Sequence, residues 1–559
     1  MLLHMLVHML AGAQAAFDSP ANPQLAGVNT EFVNPLGLFV GVNRDAHGRP
    51  GSWLPPNLKS WVNASDPLNS AALTELLGGL RLGSYRYPGG SIGNYWNWTS
   101  DSFSPLANNS FYSTIAAVER AGFPPGVFGV RHFDEMLRRS GGAANILMLD
   151  VCTAGPDPSV PARVIRQLGG LVRAPRFEIG NEVYDPRQGP QPGGYATAQE
   201  YLADTHELVE AVRDVGASAG VSIGPCPFLY PEGSDCWGGA AGRYHQWHRN
   251  LSSACQQTSG GACPFDAVVV HNYVVKAAVL APYTPAEHLS VFLAVPQVTV
   301  DHGAASMARD FADEVKLWIT EFNVFYPSVW YGKADATARD AAAFLNSTEN
   351  SPAHAVHVAA HIVAAMAHGD LIEMMNYHSF LEGVGPADLG PDSAGGSQPG
   401  FAAVGINASG SYISPVAQML STLARWLSAP NATMEGVPAR HGSQVLPLTL
   451  AAAGLGSNPL PCTSSSAICG TPANRMLVIN RCTTPVAVSL DTVCGGGVTG
   501  WASVLVYSAS VSAGGPGRAW AKAEGPADSW GPMRPDESGA GTGALNAAPL
   551  ALTVIQLQA

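Results

Sequence analysis

The sequence predicts an α/β protein: a (β/α)8 TIM barrel over residues 30–428, followed by a C-terminal β-sandwich domain over 429–559. Three observations predict it. Short apolar runs alternate with longer segments of helical periodicity until about Ser428. Two of those runs, Phe177-Glu178-Ile179-Gly180-Asn181-Glu182 and Leu317-Trp318-Ile319-Thr320-Glu321-Phe322-Asn323, end on a carboxylate. A buried parallel strand whose C-terminal tip reaches a functional cleft has this form. Beyond Ser428 the helical periodicity stops, and short strands separated by Gly, Pro and Ser take over.

In chain order, residues 1–16 form an apolar stretch too short to span a bilayer, and Ala13-Gln14-Ala15 fits a small-residue cleavage site. A cleaved secretory signal is expected, although its leading segment offers only His4 and His8 in place of basic residues. Eight strands are expected at 36–42, 80–87, 145–151, 176–180, 220–224, 265–270, 315–320 and 371–377. Glu182 then closes the fourth strand and Glu321 the seventh. Helices are expected at 198–215, with Glu200, Glu207 and Glu210 on its polar side, at 354–368 and at 415–427. Eight strands alternating with helices close most simply into a barrel, and about 400 residues accommodate one with insertions. The second domain is expected to hold strands at 445–450, 475–479, 486–490, 502–507 and 550–557, and residues preceding the barrel are candidates to complete it. The Gly-, Ala-, Pro- and Ser-rich segment 509–548 reads as a long loop or a partly disordered insertion.

Composition narrows the function. Hydrophobic residues make up 46% and charged residues 13%, which specifies a folded globular chain. A net charge of −13 and no basic stripe argue against nucleic acid as a partner, and a strongly anionic polymer is a poor match on average. No later segment is apolar for long enough to cross a membrane, so no membrane partner is expected. Eight of nine cysteines fall in close pairs, Cys226/Cys236, Cys255/Cys263, Cys462/Cys469 and Cys482/Cys494, which suits disulfides of an oxidising compartment. Cys152, after an apolar run, reads as a buried free thiol. N-x-S/T sequons at Asn63, Asn97, Asn108, Asn250, Asn346, Asn407 and Asn431 agree with secretion, either outside the cell or into a cell wall.

Two carboxylates at strand tips can divide acid and nucleophile roles across a glycosidic bond. A third segment, Arg86-Tyr87-Pro88-Gly89-Gly90-Ser91-Ile92-Gly93-Asn94-Tyr95-Trp96-Asn97-Trp98, follows the second strand. Its glycines permit a sharp turn, its Asn/Tyr/Trp cluster, Asn94 included, suits a sugar ring, and Arg86 would donate to an ionised carboxylate. The plainer reading is a tight turn with aromatic packing. His271-Asn272-Tyr273 follows the sixth strand, where His271 and Tyr273 would position a nucleophile or form a satisfied polar pair. His378, near the tip of the eighth strand, is a candidate for the same cleft. His354, His357, His361 and His368 lie near one helix face, but no HExxH and no nearby carboxylate accompany them, so packing is preferred to a metal. No phosphate loop and no Gly-x-Ser-x-Gly elbow occurs, and neither a metal nor an organic cofactor is called for.

With these residues in place, the chain resembles glycoside hydrolase clan A, the retaining (β/α)8 glycosidases. Arg-Tyr-Pro-Gly-Gly with its aromatic sequel is similar to family 51 α-L-arabinofuranosidases, and the two-domain layout resembles family 79, the heparanase and β-glucuronidase group. The specific motifs cover only a few dozen residues, and Thr-Glu-Phe-Asn stands where family 51 commonly has Asp-Glu-Trp. The resemblance implies Glu182 as acid/base, Glu321 as nucleophile, Asn181 on the sugar 2-hydroxyl, and Arg86 and Tyr273 hydrogen-bonded to Glu321. The expectation is therefore a retaining hydrolase of extracellular or cell-wall polysaccharide, arabinofuranosidase-like. Its rivals are a heparanase-like β-glucuronidase, a catalytically silent carbohydrate-binding glycoprotein on the same scaffold, and a transglycosylase. The sequence leaves the sugar and the oligomeric state open.

Overall fold

The computed structural model describes residues 17–20, 22–29, 79–90, 93–94, 96–99, 102–103, isolated positions within 130–138, then 144–149, 156–169, 173–188 except 187, 194–224, 241–257, 263–273, 277–324, 338–378, 380–383, 403–407, 410–428 and, beyond 428, the strands named below with a few flanking residues. Eight strands pair side by side in chain order and close into a barrel: β1 (Gly27–Asn29), β2 (Ser84–Tyr87), β3 (Ala144–Leu149), β4 (Arg173–Ile179), β5 (Ser218–Ser222), β6 (Ala267–Asn272), β7 (Lys316–Phe322) and β8 (Ile372–His378). Every pairing is parallel, and the ring closes where Asn376 of β8 lies opposite Gly27 of β1. Strands two to eight fall where the sequence places them, within a few residues at each end. The first does not: β1 spans only three residues, too few to show a periodicity, and the expected 36–42 lies outside the described residues.

Helices α1 (Val160–Leu168), α2 (Ala198–Asp214), α3 (Ala241–Gln257) and α4 (His288–Asp310) follow β3, β4, β5 and β6. α5 (Arg339–Thr348) and α6 (Pro352–Met366) follow β7, and α7 (Pro415–Leu427) follows β8. Their starts are encoded locally. Thr197 accepts from the Glu200 N–H while the Glu200 carboxylate accepts from the Ala196 N–H, and Ser351 and Ser414 cap helices that begin with proline.

Side chains alternate across each barrel strand, so one set packs outward against the helices and the other faces the barrel axis. In β6, Val268 and Val270 join the large outer core, whereas Ala267 and Val269 form a separate inner cluster with Trp318 of β7 and Met374 of β8. Gly220 of β5 leaves room for this cluster, since a Cβ there would lie 2.4 Å from the Trp318 ring. Trp318 Nε1 donates to Glu373 Oε2 (2.8 Å), which also accepts from Arg176 Nε (3.0 Å).

α6 is apolar on all sides, and every residue from Ala353 to Met366 is buried. It packs against α4, α7 and two strands of the C-terminal sheet, Gly500–Ser508 and Ala551–Gln558. Pro296 lies inside α4 and supplies no N–H to Phe292, whose carbonyl instead pairs with His357 Nδ1 of α6 at 2.7 Å. The Leu293 carbonyl accepts from Arg481 Nε at 2.7 Å, tying the sheet to the barrel. His354 and His361 are buried in the same layer, and burial holds all three imidazoles below their ordinary range, His357 at about 3. His368 pairs with Asp301. The three buried histidines are packing residues, and among the described residues no group of three or more His, Cys, Asp or Glu converges as a metal site.

The C-terminal part is a seven-stranded antiparallel sheet in the order Phe17–Pro20, Thr433–Val437, Ala467–Thr471, Arg475–Asn480, Ala551–Gln558, Gly500–Ser508 and Asp536–Ser538. The segment preceding the barrel thus supplies an edge strand of this sheet. Val486–Ser489 pairs with Ala544–Ala547 in a separate ribbon, and Ala521–Lys522 joins a four-stranded sheet with Gly410–Ile413, Val404–Asn407 and Leu381–Gly383. Segment 509–548 therefore contributes three short strands and is not simply a loop. Pairing to distant strands stabilises them, which a Gly- and Ala-rich composition does not reveal. Cys255 and Cys263 form a disulfide between α3 and β6; the other cysteines lie outside the described side chains. Asn250 is buried within α3 and bonded to Gln246, so its sequon is not a surface site. Among the described residues no helix is long and apolar enough to cross a membrane.

Candidate active site

The C-terminal ends of β2, β4, β6, β7 and β8 bring Arg86, Glu178, Asn181, Glu182, His271, Tyr273, Glu321 and His378 together. Inward alternation accounts for Glu178 of β4, and for His271, which follows Val269 along β6. Glu321 needs a further device. Trp318 faces inward, and regular alternation would send Glu321 outward with Ile319. Pairing with β6 skips one residue between Ile319 and Glu321, so Thr320 is bulged and Glu321 sits opposite His271. The extra residue reverses the parity and turns the carboxylate into the barrel mouth. Phe322 then returns to the outer core.

Arg86 is fully buried and organises the site. Its Nε and Nη2 bond the two Glu178 oxygens at 2.6 and 2.7 Å, Nη1 bonds Glu321 Oε1 at 2.7 Å, and Nη2 also reaches Asn181 Oδ1 at 2.8 Å. One guanidinium fork thus holds two carboxylates at fixed angles. Tyr273 Oη donates to Glu321 Oε2 at 2.8 Å. Burial alone would raise the Glu321 pKa, but the charges of His271, His378 and Arg86 and the Tyr273 hydrogen bond outweigh it and hold it at about 2. Burial likewise works against a charged His271, and the Glu321 charge with the Glu182 hydrogen bond reverses that, so its pKa is raised.

Glu182 lies one turn beyond β4, more exposed than Glu321, on a backbone with φ of 45°. This left-handed conformation is unusual for a residue with a Cβ and carries strain of about 1–3 kcal/mol. Hydrogen bonds from the Asp185 N–H to the Glu182 carbonyl (2.8 Å) and from the Gln188 N–H to the Asp185 carbonyl (2.9 Å) maintain the turn. Glu182 Oε1 contacts His271 Nδ1 at 2.8 Å and accepts from Tyr184 Oη at 3.1 Å, while Oε2 accepts from Gln188 Nε2. Burial and then the Glu182 charge push the Tyr184 phenol well above its ordinary range, so it remains a donor. His271 Nδ1 also lies 3.5 Å from Glu321 Oε2. One imidazole nitrogen therefore bridges the two carboxyl groups. One carboxylate is ionised by surrounding positive charge and the other rests on neutral donors and a histidine, an arrangement able to separate acid from nucleophile.

Two candidates sit differently from expectation. Asn94, expected at a sugar ring, is fully buried. Its Oδ1 accepts from the Asn181 N–H (2.6 Å) and its Nδ2 donates to the Asn181 carbonyl (2.8 Å), because the glycine turn folds back beneath β4. It braces the site. Asn181, expected on a sugar hydroxyl, is 1% exposed, and its amide is engaged by Arg86 and by Gln188 (2.8 Å). His378 stands at the rim with its ring edge-on to Tyr273, centroids 6.1 Å apart. Glu178, Tyr184 and Gln188 join the site beyond the expected residues. Inward parity pointed to Glu178; no local pattern marks Gln188, which reaches Glu182 only because the chain turns twice between them.

No protein-family model matches the chain, and no curated protein matches it by sequence. Solved structures do match. The GH51 arabinofuranosidase from Xanthomonas axonopodis pv. citri superposes with a TM-score of 0.59 at 15% identity, covering 98% of each chain. A family 51 α-L-arabinofuranosidase from Bifidobacterium longum gives 0.58 at 14%, and an α-L-arabinofuranosidase from Thermotoga maritima gives 0.51 at 14%, each covering 97% of this chain and 98% of the other. The likeness is one of fold: the chain has the architecture of glycoside hydrolases of this kind.

Proposed function

We propose that the protein is a retaining O-glycoside hydrolase of clan A, with Glu321 as nucleophile and Glu182 as acid/base, acting on α-L-arabinofuranosides or related glycosides. The observation that carries this reading is the pair of carboxylates bridged by His271 Nδ1. The distances to that nitrogen, 2.8 and 3.5 Å, together set the largest separation Glu182 Oε1 and Glu321 Oε2 can have. That limit applies to the two facing oxygens and is compatible with the ~5–5.5 Å between carboxyl groups of retaining enzymes. Glu321, held ionised, attacks the anomeric carbon while Glu182 protonates the leaving oxygen. Water then hydrolyses the glycosyl-enzyme with Glu182 as base. A merely carbohydrate-binding protein has no need of a buried arginine that charges and aims one carboxylate.

The second domain is read as a β-sandwich made from the seven-stranded sheet and the Val486–Ser489 ribbon. Secretion is proposed on the N-terminal apolar segment, with support from the Cys255–Cys263 bond. The test is a panel of 4-nitrophenyl arabinofuranosides, glucuronides and glucosides, with NMR of the first-formed product. Release of arabinose with retained configuration is expected; inverted product or no turnover across the panel would overturn the reading.

A further inference from the structure

We propose that Gln188 is a positioning residue that confines the transferable proton of Glu182 to Oε1, at the end of a one-way chain of amides that starts at Arg86. The proposal rests on Glu182 acting as acid/base. It follows from which groups can only donate. A guanidinium has donors and no acceptor, so Arg86 Nη2 requires Asn181 to present Oδ1 (2.8 Å). The Asn181 amide nitrogen then faces Gln188 and requires Oε1 there (2.8 Å). Asn94 adds the same constraint. The backbone N–H of Asn181 donates to Asn94 Oδ1, which turns Asn94 Nδ2 towards the Gln188 carbonyl (3.2 Å) and Oε1 (3.4 Å). Gln188 is 3% exposed, and with its Oε1 turned to the two asparagine amides its Nε2 points at Glu182 Oε2.

A proton on Oε2 would set an O–H against that N–H. Oε1 lies between Tyr184 Oη (3.1 Å), a hydroxyl that donates to the ionised carboxylate and can turn to accept from a protonated one, and His271 Nδ1 (2.8 Å), whose role follows its tautomer, so neither is confined to donating as the Gln188 amide is. In the first step a Glu321 oxygen bonds the anomeric carbon while the O–H bond at Glu182 Oε1 breaks, its proton moving to the glycosidic oxygen, which takes the electron pair of the breaking C–O bond. In the second step the oxygen of water bonds the anomeric carbon, the bond to Glu321 breaks with its electron pair returning to that carboxylate, and a proton of the water returns to Glu182 Oε1. The same guanidinium that aims the nucleophile thereby fixes which oxygen of the acid delivers the proton.

The test uses Gln188→Met and Gln188→Glu. The second keeps the size and still accepts from Asn181 and Asn94, but it turns an acceptor towards Glu182. Two measurements apply. Crystal structures of wild type and variants should show the Glu182 carboxyl rotated away from His271 in the variants; an unchanged rotamer with unchanged contacts overturns the proposal. Turnover should fall ~100-fold for a methyl glycoside, whose leaving group needs the proton, and less than ~3-fold for the 2,4-dinitrophenyl glycoside, which leaves unassisted. Equal losses on both substrates also overturn it. If the wild type hydrolyses no glycoside, the catalytic reading of Glu182 falls, while the crystal structures still decide whether Gln188 holds that carboxyl.

Discussion

At the scale of single residues, the site is a set of charges whose partners are all nearby. Glu178 and Arg86 are both fully buried, and neither is tolerable alone. Arg86→Leu should lower stability by about 3–5 kcal/mol in urea titrations, because it leaves Glu178 uncompensated. Activity should vanish with it, since Glu321 loses its Nη1 partner; a folded, fully active variant would contradict this. The pH response follows from Glu321. Its folded pKa, at about 2, lies below the ordinary 4.5, so its stabilising effect is complete above pH 4.5 and is lost as pH falls from there towards 2. Glu321→Gln should flatten the stability profile within that window. For the same reason the acid limb of kcat/KM should lie below pH 4, and a midpoint at 4.5 or higher would show a nucleophile without these neighbours. Much of this was legible. Glu182, Glu321, Arg86 and Tyr273 were marked by residue type at strand tips, whereas the contact roles of Asn94, Asn181 and Gln188 depend on how a loop folds back, and the sequence carries no period for that.

At the scale of elements, the β7 bulge and the Gly220–Trp318 contact matter most. Deleting Thr320 removes the extra residue and returns Glu321 to the outward parity of Ile319. Such a variant should retain the far-UV spectrum of a barrel and lose all turnover; retained activity would mean that the bulge does not aim the carboxylate. Gly220→Ala places a Cβ 2.4 Å from the Trp318 ring and should cost about 1–3 kcal/mol, with Gly220→Ala/Trp318→Phe recovering part of it. Seven of the eight strands were readable because a buried parallel strand is a continuous apolar run. The bulge was not, because Leu317-Trp318-Ile319-Thr320-Glu321-Phe322 looks the same with or without it. β1 escaped notice because the ring requires only three residues there.

At the scale of the molecule, the segment before the barrel is joined to the segment that follows it. The strand Phe17–Pro20 pairs with Thr433–Val437, and Arg481 reaches from the sheet to the Leu293 carbonyl of α4. Burial lowers the Arg481 pKa to about 10, and Leu293 is its single hydrogen-bond partner among the described residues. A buried cation with so little compensation costs stability, so Arg481→Met should raise the melting temperature; a clear fall would show that the hydrogen bond outweighs the desolvation. The barrel and the all-β character of the C-terminal part were legible from the change of periodicity at Ser428. The sheet order, which draws its edge strand from before the barrel, was not legible, because pairing between residues hundreds of positions apart leaves no local trace.

The central claim is that Glu321 forms the covalent glycosyl-enzyme. Treating the protein with aziridine probes of arabinofuranose and glucuronic acid configuration, followed by peptide mass spectrometry, addresses it most directly. The account predicts a single adduct on the peptide containing Glu321, absent from Glu321→Gln. An adduct on Glu182, or active enzyme that no probe labels, would contradict it.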